Sequence, residues 1–174
     1  MKSSFIPLLA MTVIVVGSNW LVQFPINHLL TWGAITYPFS FLVTDLTTRL
    51  HGPGPARRVV WAGFALAVIL SIWLSTPRIA LASGTAFLAG QLLDIQVFQR
   101  LRTGSWWRAP LVSSTVGSIL DTTLFFSLAF AGTALPWVTL ALGDLGVKLL
   151  LAVLALAPFR AVLALALPAA PVRS

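Results

Sequence analysis

The chain has 174 residues, 58% of them hydrophobic and 9% charged, and its mean hydropathy is +0.95. Soluble domains carry about 25% charged residues, so the composition excludes a soluble globular protein and points to an integral membrane protein. The net charge of +7 comes from eleven Lys and Arg against four acidic residues, all Asp; the basic residues sit at the ends of apolar runs rather than in one arm or patch, which argues against nucleic-acid binding. There is no cysteine, which removes thiolate metal sites, disulfides and cysteine nucleophiles.

A helix needs roughly 20 residues at about 1.5 Å each to cross the hydrocarbon core. Six stretches meet that length. The first covers about residues 5–24, where Pro25 stops it, and the second about 29–50, running into the breaker HGPGP. The third is about 59–74, closed by Thr76-Pro77, and the fourth about 79–101. The loop RTGSWWRAP leads to a fifth at about 111–131, and the sixth covers about 136–157, ended or kinked by Pro158. Residues 159–167 are too short to span and are expected to lie along the interface. Lys2 ahead of an apolar run looks like a signal peptide, but no Ala-x-Ala-like cleavage site follows, so the stretch is expected to be retained as the first helix. The expected fold is all-α, a bundle of six transmembrane helices forming one domain over residues 1–174.

Charge bias orients the bundle. Lys2, Arg49, Arg57, Arg58, Arg100, Arg102, Arg108, Arg160 and Arg173 fall on one side, against Arg78 alone on the other. The positive-inside rule then puts both termini in the cytoplasm.

The polar residues inside these spans are the candidates for function, because an ionisable group at membrane depth costs several kcal/mol unless it faces protein, water or a ligand. The stretch GQLLDIQVFQRLR (90–102) holds Gln91 near the midplane and Asp94 one turn further in. Asp121 lies mid-span on a face with Ser114, Gly117 and Ser118, small residues that admit a close neighbouring helix. Asp144 and Lys148 are four apart and share a face, either as a self-neutralising pair or as a pair that substrate or proton breaks. Asp45 and Arg49 repeat the spacing near the cytoplasmic end, where Arg49 can also snorkel to the surface. Asn19, Gln23 and Tyr37 fall in the outer half. Most of the seven Trp suit the aromatic belts, while Trp20, Trp32, Tyr37 or Phe125 could instead stack on a flat ligand. His28 and His51 lie at opposite ends without a matching second ligand, so no metal site is expected. No G-x-S-x-G, H-E-x-x-H or phosphate loop occurs, and the pattern reads as a solute pathway rather than an enzyme.

Taken together, SNWLVQFP (18–25), TWGAITYPFSFLVTDLTTRLHG (31–52), ARRVV (56–60), GQLLDIQVFQRLR (90–102), WWRAPLVSSTVGSILDTTLFF (106–126) and the Gly143-Asp144…Lys148 element resemble the queuosine precursor transporter family of vitamin uptake transporters. The resemblance covers most of the chain. It implies import of 7-cyano-7-deazaguanine, and in some members the 7-aminomethyl form, into the bacterial cell for tRNA queuosine synthesis. It also implies a helix count like that of the substrate-binding subunits of energy-coupling-factor transporters, without an ATPase partner. The chain departs from the family in having Ser118 where Asn is frequent, and in a short link between the third and fourth spans.

That substrate gives the polar residues roles. Its guanine edge offers a ring N–H and an amine as adjacent donors and O6 as acceptor, which a carboxylate and an amide or ammonium can meet. Asp121 or Asp94 is expected on the donor edge, Gln91 or Lys148 on O6 or the nitrile, and Tyr37 or Phe125 stacked on the ring. Asp144 and Asn19 complete the expected substrate set, and Asp45 with Arg49 forms a gate or ion pair. Asp144–Lys148 and Asp45 are the candidate proton carriers. The expected partners are the small-molecule deazaguanine and the lipid bilayer, with no cofactor and no nucleic acid; a homo-oligomer is left open. Two other readings stand beside the transporter: a binding subunit that needs a coupling partner, and a scaffold whose aspartates only pair helices.

Overall fold

A computed structural model describes residues 5–21, 24, 26, 32–74 and 76–166. Gln23 and His28 lie outside the described residues. The helices are α1 (Phe5–Leu21), α2 (Trp32–Thr36), α3 (Phe39–His51), α4 (Pro53–Leu74), α5 (Pro77–Leu101), α6 (Arg108–Phe130), α7 (Trp137–Leu154) and α8 (Leu156–Ala166).

The second predicted span is broken in two. Pro38 has no N–H to donate and disturbs the turn before it. The chain passes the break through tight turns, Ser40 N–H to the Tyr37 carbonyl at 2.9 Å and Phe41 N–H to the Pro38 carbonyl at 3.1 Å. The next difference is at HGPGP, expected as a loop. Gly52 turns the chain at φ +89°, a conformation open to glycine because it lacks Cβ. Pro53 and Pro55 then occupy the first turn of α4, where amide N–H groups have no helical partner in any case. α4 thus begins before residue 59. Thr76 caps α5, its hydroxyl accepting from the Ile79 N–H at 3.4 Å.

The last apolar piece is longer than expected and almost continuous with α7: Ala155 N–H reaches the Leu151 carbonyl at 2.8 Å, and Phe159 N–H reaches that of Ala155 at 3.0 Å. Pro158 is tolerated because it sits in the first turn of α8.

Four helical stretches are long and apolar enough to cross a membrane: Pro53–Leu74, Pro77–Leu101, Arg108–Phe130 and Trp137–Ala166, with α1 a shorter apolar helix. The protein is an all-α, multi-pass membrane protein. Its surface and interior bear this out in reverse of a soluble fold. Large apolar side chains such as Trp73, Leu81 and Leu142 face outward, while Gln91, Asp94, Asp45, Thr44 and Lys148 are buried. In lipid, apolar exposure carries no penalty, and polar side chains instead hold helices together from within.

α5 and α6 form the central antiparallel pair, with α3 laid against both, α4 behind α5, α1 against α4, and α7 against α6. Their approach depends on two glycines. A Cβ on Gly90 would meet the Asp121 Cβ at 2.9 Å, and one on Gly117 would meet the Asp94 Cβ at 3.2 Å and a Phe41 ring carbon at 2.7 Å. Apolar packing fills the flanks: Met11, Val15, Val59, Val60, Phe87 and Ile95 join α1, α4 and α5, and Phe98, Ala109 and Phe159 close the end near α8. At opposite ends, arginines cap the central pair. Arg78 donates to the Leu128 and Ala131 carbonyls of α6 at 2.9 and 2.6 Å. Arg49 donates to the Arg102 carbonyl after α5 at 2.6 Å. Cations there complement the negative end of the helix dipole.

Candidate functional site

The buried polar residues form three groups along the α3–α5–α6 seam, which order from the Arg78 end to the end rich in arginine. The first is centred on Lys148 of α7. Its ammonium is 2.7 Å from Asp121 Oδ2 and 2.6 Å from Asp144 Oδ2, and it donates to the Thr122 hydroxyl at 3.0 Å. Thr122 in turn donates to Asp144 Oδ2 at 2.8 Å, and the Tyr37 hydroxyl donates to Asp121 Oδ1 at 3.1 Å. The Tyr37 ring lies under the same ammonium, 5.6 Å from centroid to Nζ, a cation–π contact. One cation therefore serves two carboxylates, leaving the cluster a formal charge of −1. Four helical elements meet here: α6, α7 and the α2–α3 break that carries Tyr37. The break explains Tyr37's position, since an unbroken helix would not turn its ring toward α7. Asp144 is the most open carboxylate of the group, with 18% of its side chain exposed against 4% for Asp121.

The second group is Gln91 with α3. Its carbonyl accepts from Thr44 at 2.6 Å and its amine donates to the Ser40 hydroxyl at 2.8 Å. The Gln91 amide is thus already engaged on both sides, and it is fully buried.

The third group is Asp45, which accepts from Ser113 at 2.9 Å and from Ser114 at 3.0 Å, one hydroxyl on each oxygen. Asp94 packs one turn along the same face of α6, where a Cβ on Gly117 would meet the Asp94 Cβ at 3.2 Å. Asp94 is fully buried, and neither of its oxygens has a hydrogen-bond partner among the described residues.

A narrow cleft between α3, α6 and α7–α8 joins the first group to the third. Lys148 and Ser118 line it, with Ser114 and Asp45 further along and Phe41 and Phe159 as aromatic walls. Its interior has room for about one water molecule.

Several expectations change at this level. The spacing of Asp45 and Arg49 suggests an ion pair, but Arg49 turns to the Arg102 carbonyl and Asp45 to two serines. A hydroxyl pair reaches a carboxylate on a neighbouring helix at less desolvation cost than a guanidinium drawn inward. The Asp144–Lys148 pair forms and gains Asp121, which has no cation near it in sequence. Phe125 packs edge-to-face with Phe126 and Phe130, centroids 5.1 and 5.8 Å away, in an aromatic knot toward the end of α6. Asn19 donates to the Val15 carbonyl of its own helix at 2.8 Å. Neither Phe125 nor Asn19 lines the cleft. Residues that sequence reasoning does not single out, Ser113, Thr122, Phe41 and Phe159, are brought to the site by packing. Only Thr122 had a local signal, as the neighbour of Asp121.

The chain matches the family described as "Putative vitamin uptake transporter" over residues 31–76 and 70–163, which include all three polar groups. It is 37% identical to the "Queuosine precursor transporter" of Escherichia coli, over 87% of this chain and 81% of that protein. It is 36% identical to the "Probable queuosine precursor transporter" of Haemophilus influenzae, over 83% of this chain and 79% of that one. A Bacillus subtilis protein called "Probable queuosine precursor transporter" is 28% identical over 59% of this chain. No solved structure matches.

Proposed function

The chain belongs to the vitamin uptake transporter family, and on that premise we propose that it imports a queuosine precursor across the bacterial inner membrane for tRNA modification. The substrate is 7-cyano-7-deazaguanine, with the 7-aminomethyl form as a second one. The relatives' names support the precursor; the nitrile is the form that the family resemblance implies. The end of the bundle that carries Arg49, Arg57, Arg58, Arg100, Arg102 and Arg108 faces the cytoplasm, as their number against the lone Arg78 supports. The site is one of binding and passage, not of catalysis.

The observation that carries this reading is a single cleft lined by both Lys148 and Asp45. An ammonium donates to O6 or to the nitrile nitrogen, and a carboxylate accepts from the adjacent ring N–H and amine. Ser114 and Ser118 supply hydroxyls along the wall, and Phe41 or Phe159 supplies an apolar face for the ring. In this reading Asp121 and Tyr37 position the ammonium rather than touch the substrate, and Gln91 holds α3 against α5. The cleft is too narrow for a purine-sized ring as it stands, so binding requires α7 and α3 to part.

Thermal unfolding of the detergent-solubilised protein tests the reading with 7-cyano-7-deazaguanine, the 7-aminomethyl form, guanine and queuine. The first is expected to raise the midpoint most, and Lys148→Gln to abolish the rise. A panel without any shift would favour the scaffold reading, in which the buried charges only join helices.

A further inference from the structure

Asp94 is a carboxyl group in the interior of a membrane protein, and the neighbouring Ser113 hydroxyl donates to Asp45 instead. Asp94 is fully buried, and both oxygens are without a hydrogen-bond partner among the described residues. It packs against Gly117 of α6, where an added Cβ would meet the Asp94 Cβ at 3.2 Å; one turn away on the same helix, Ser113 and Ser114 hold a second carboxyl, Asp45 of α3. The Asp45 oxygens already accept from Ser113 and Ser114, so Asp45 is built to be an acceptor, and Asp94 is the member of the pair left without a role.

Among the described residues, no charged side chain of the packed elements is ion-paired with Asp45 or Asp94. On α3, Arg49 points to the Arg102 carbonyl, and His51, whose buried Nδ1 has no partner among the described residues, sits at the helix end beyond it. On α4, Arg57 and Arg58 are exposed, as are Arg100 on α5 and Arg108 on α6. Lys148 on α7 is held by Asp121 and Asp144. Among the described residues, the ion pairs involve Lys148 alone, and none reaches Asp45 or Asp94. Two bare carboxylates side by side in such a place, without a cation, would cost far more than one carboxylate and one carboxylic acid.

We propose that Asp45 and Asp94 form a proton-binding site, with the proton on Asp94 donated in a hydrogen bond to Asp45. The site itself follows from the two carboxyl groups; its link to the substrate rests on the function proposed above. Asp45 connects the two, because it also lines the substrate cleft. A substrate that donates to Asp45 draws on the same lone pairs that the Asp94 O–H uses, and it favours the ionised pair; substrate and proton therefore oppose each other's binding.

The chain makes the test clean, since its four acidic side chains are all Asp. Infrared spectra of the protein in lipid vesicles at neutral pH should show an aspartic-acid carbonyl band. The band should move on ¹³C-aspartate labelling and on transfer to D2O, vanish in Asp94→Asn and persist in Asp144→Asn. Asp45→Asn should shift it, because the partner of the hydrogen bond changes. No such band in the wild-type protein, or one unchanged in Asp94→Asn, would overturn the site even if one variant folds poorly. Ligand addition tests the link to the substrate: saturating 7-cyano-7-deazaguanine should weaken the band, and a band that the bound ligand leaves unchanged would overturn that link. Vesicles with the band but no import would contradict the proposed function and leave the proton site standing.

Discussion

Gly90 of α5 and Asp121 of α6 meet so closely that a methyl group on Gly90 would come within 2.9 Å of the Asp121 Cβ. The relation is reciprocal: Gly117 of α6 makes the same kind of room for Asp94 of α5, at 3.2 Å. Each helix carries glycine and aspartate four residues apart, GQLLD and GSILD. Because the helices run antiparallel, each glycine faces the other's aspartate. The two carboxylates thus stand on either side of one close crossing, and only one of them is met by Lys148.

Overfilling this crossing should be felt at once. Gly90→Ala and Gly117→Ala are each expected to destabilise the protein by about 1–3 kcal/mol, read as a lower unfolding midpoint and reduced membrane abundance. Gly143→Ala, where a Cβ meets nothing within 4 Å, should leave both unchanged.

Removing the shared cation should be worse. Lys148→Met leaves Asp121 and Asp144 buried or half-buried without a counter-charge, a change expected to cost about 3–5 kcal/mol. Adding Asp121→Asn to Lys148→Met should recover part of that stability without recovering ligand binding. Full recovery of both would place recognition outside this cluster.

Gln91 gives a prediction that separates structural from substrate roles. Gln91→Leu takes away the partner of the Ser40 hydroxyl, while Thr44 keeps its bond to the Ser40 carbonyl at 3.1 Å, and the change is expected to lower stability by about 1–3 kcal/mol. The thermal shift with 7-cyano-7-deazaguanine should survive it. Loss of that shift at unchanged stability would return Gln91 to the substrate.

How much of this was legible beforehand depends on the range of the interaction. Composition and hydropathy are summed over long stretches, so the membrane class and the all-α fold could be read from the sequence, as could the family from its spread motifs. The Asp144–Lys148 pair was legible because both residues lie on one helix at i and i+4. The same rule misled for Asp45 and Arg49, where hydroxyls and a carbonyl on other helices compete better. Asp121 with Lys148, and Asp94 beside Asp45, join residues far apart in sequence, which only packing brings together. The Gly90–Asp121 crossing did leave a trace, the repeated G-x-x-x-D, but its meaning depends on knowing that the two helices are antiparallel partners. The break at Pro38 was marked by the proline; that it would present Tyr37 to Asp121 was not.

Arg78 offers a check on the ends of the bundle. Its guanidinium closes the last carbonyls of α6 from an exposed position, so Arg78→Ala is expected to cost only about 0.3–1 kcal/mol. Uptake should change little, since the residue lies far from the cleft.

The most direct test of the account is uptake of 7-cyano-7-deazaguanine by liposomes that contain the purified protein and no other. The account predicts saturable accumulation that Lys148→Gln and Asp45→Asn each abolish. Empty-liposome levels with well-folded wild-type protein, or wild-type uptake by both variants, would contradict it.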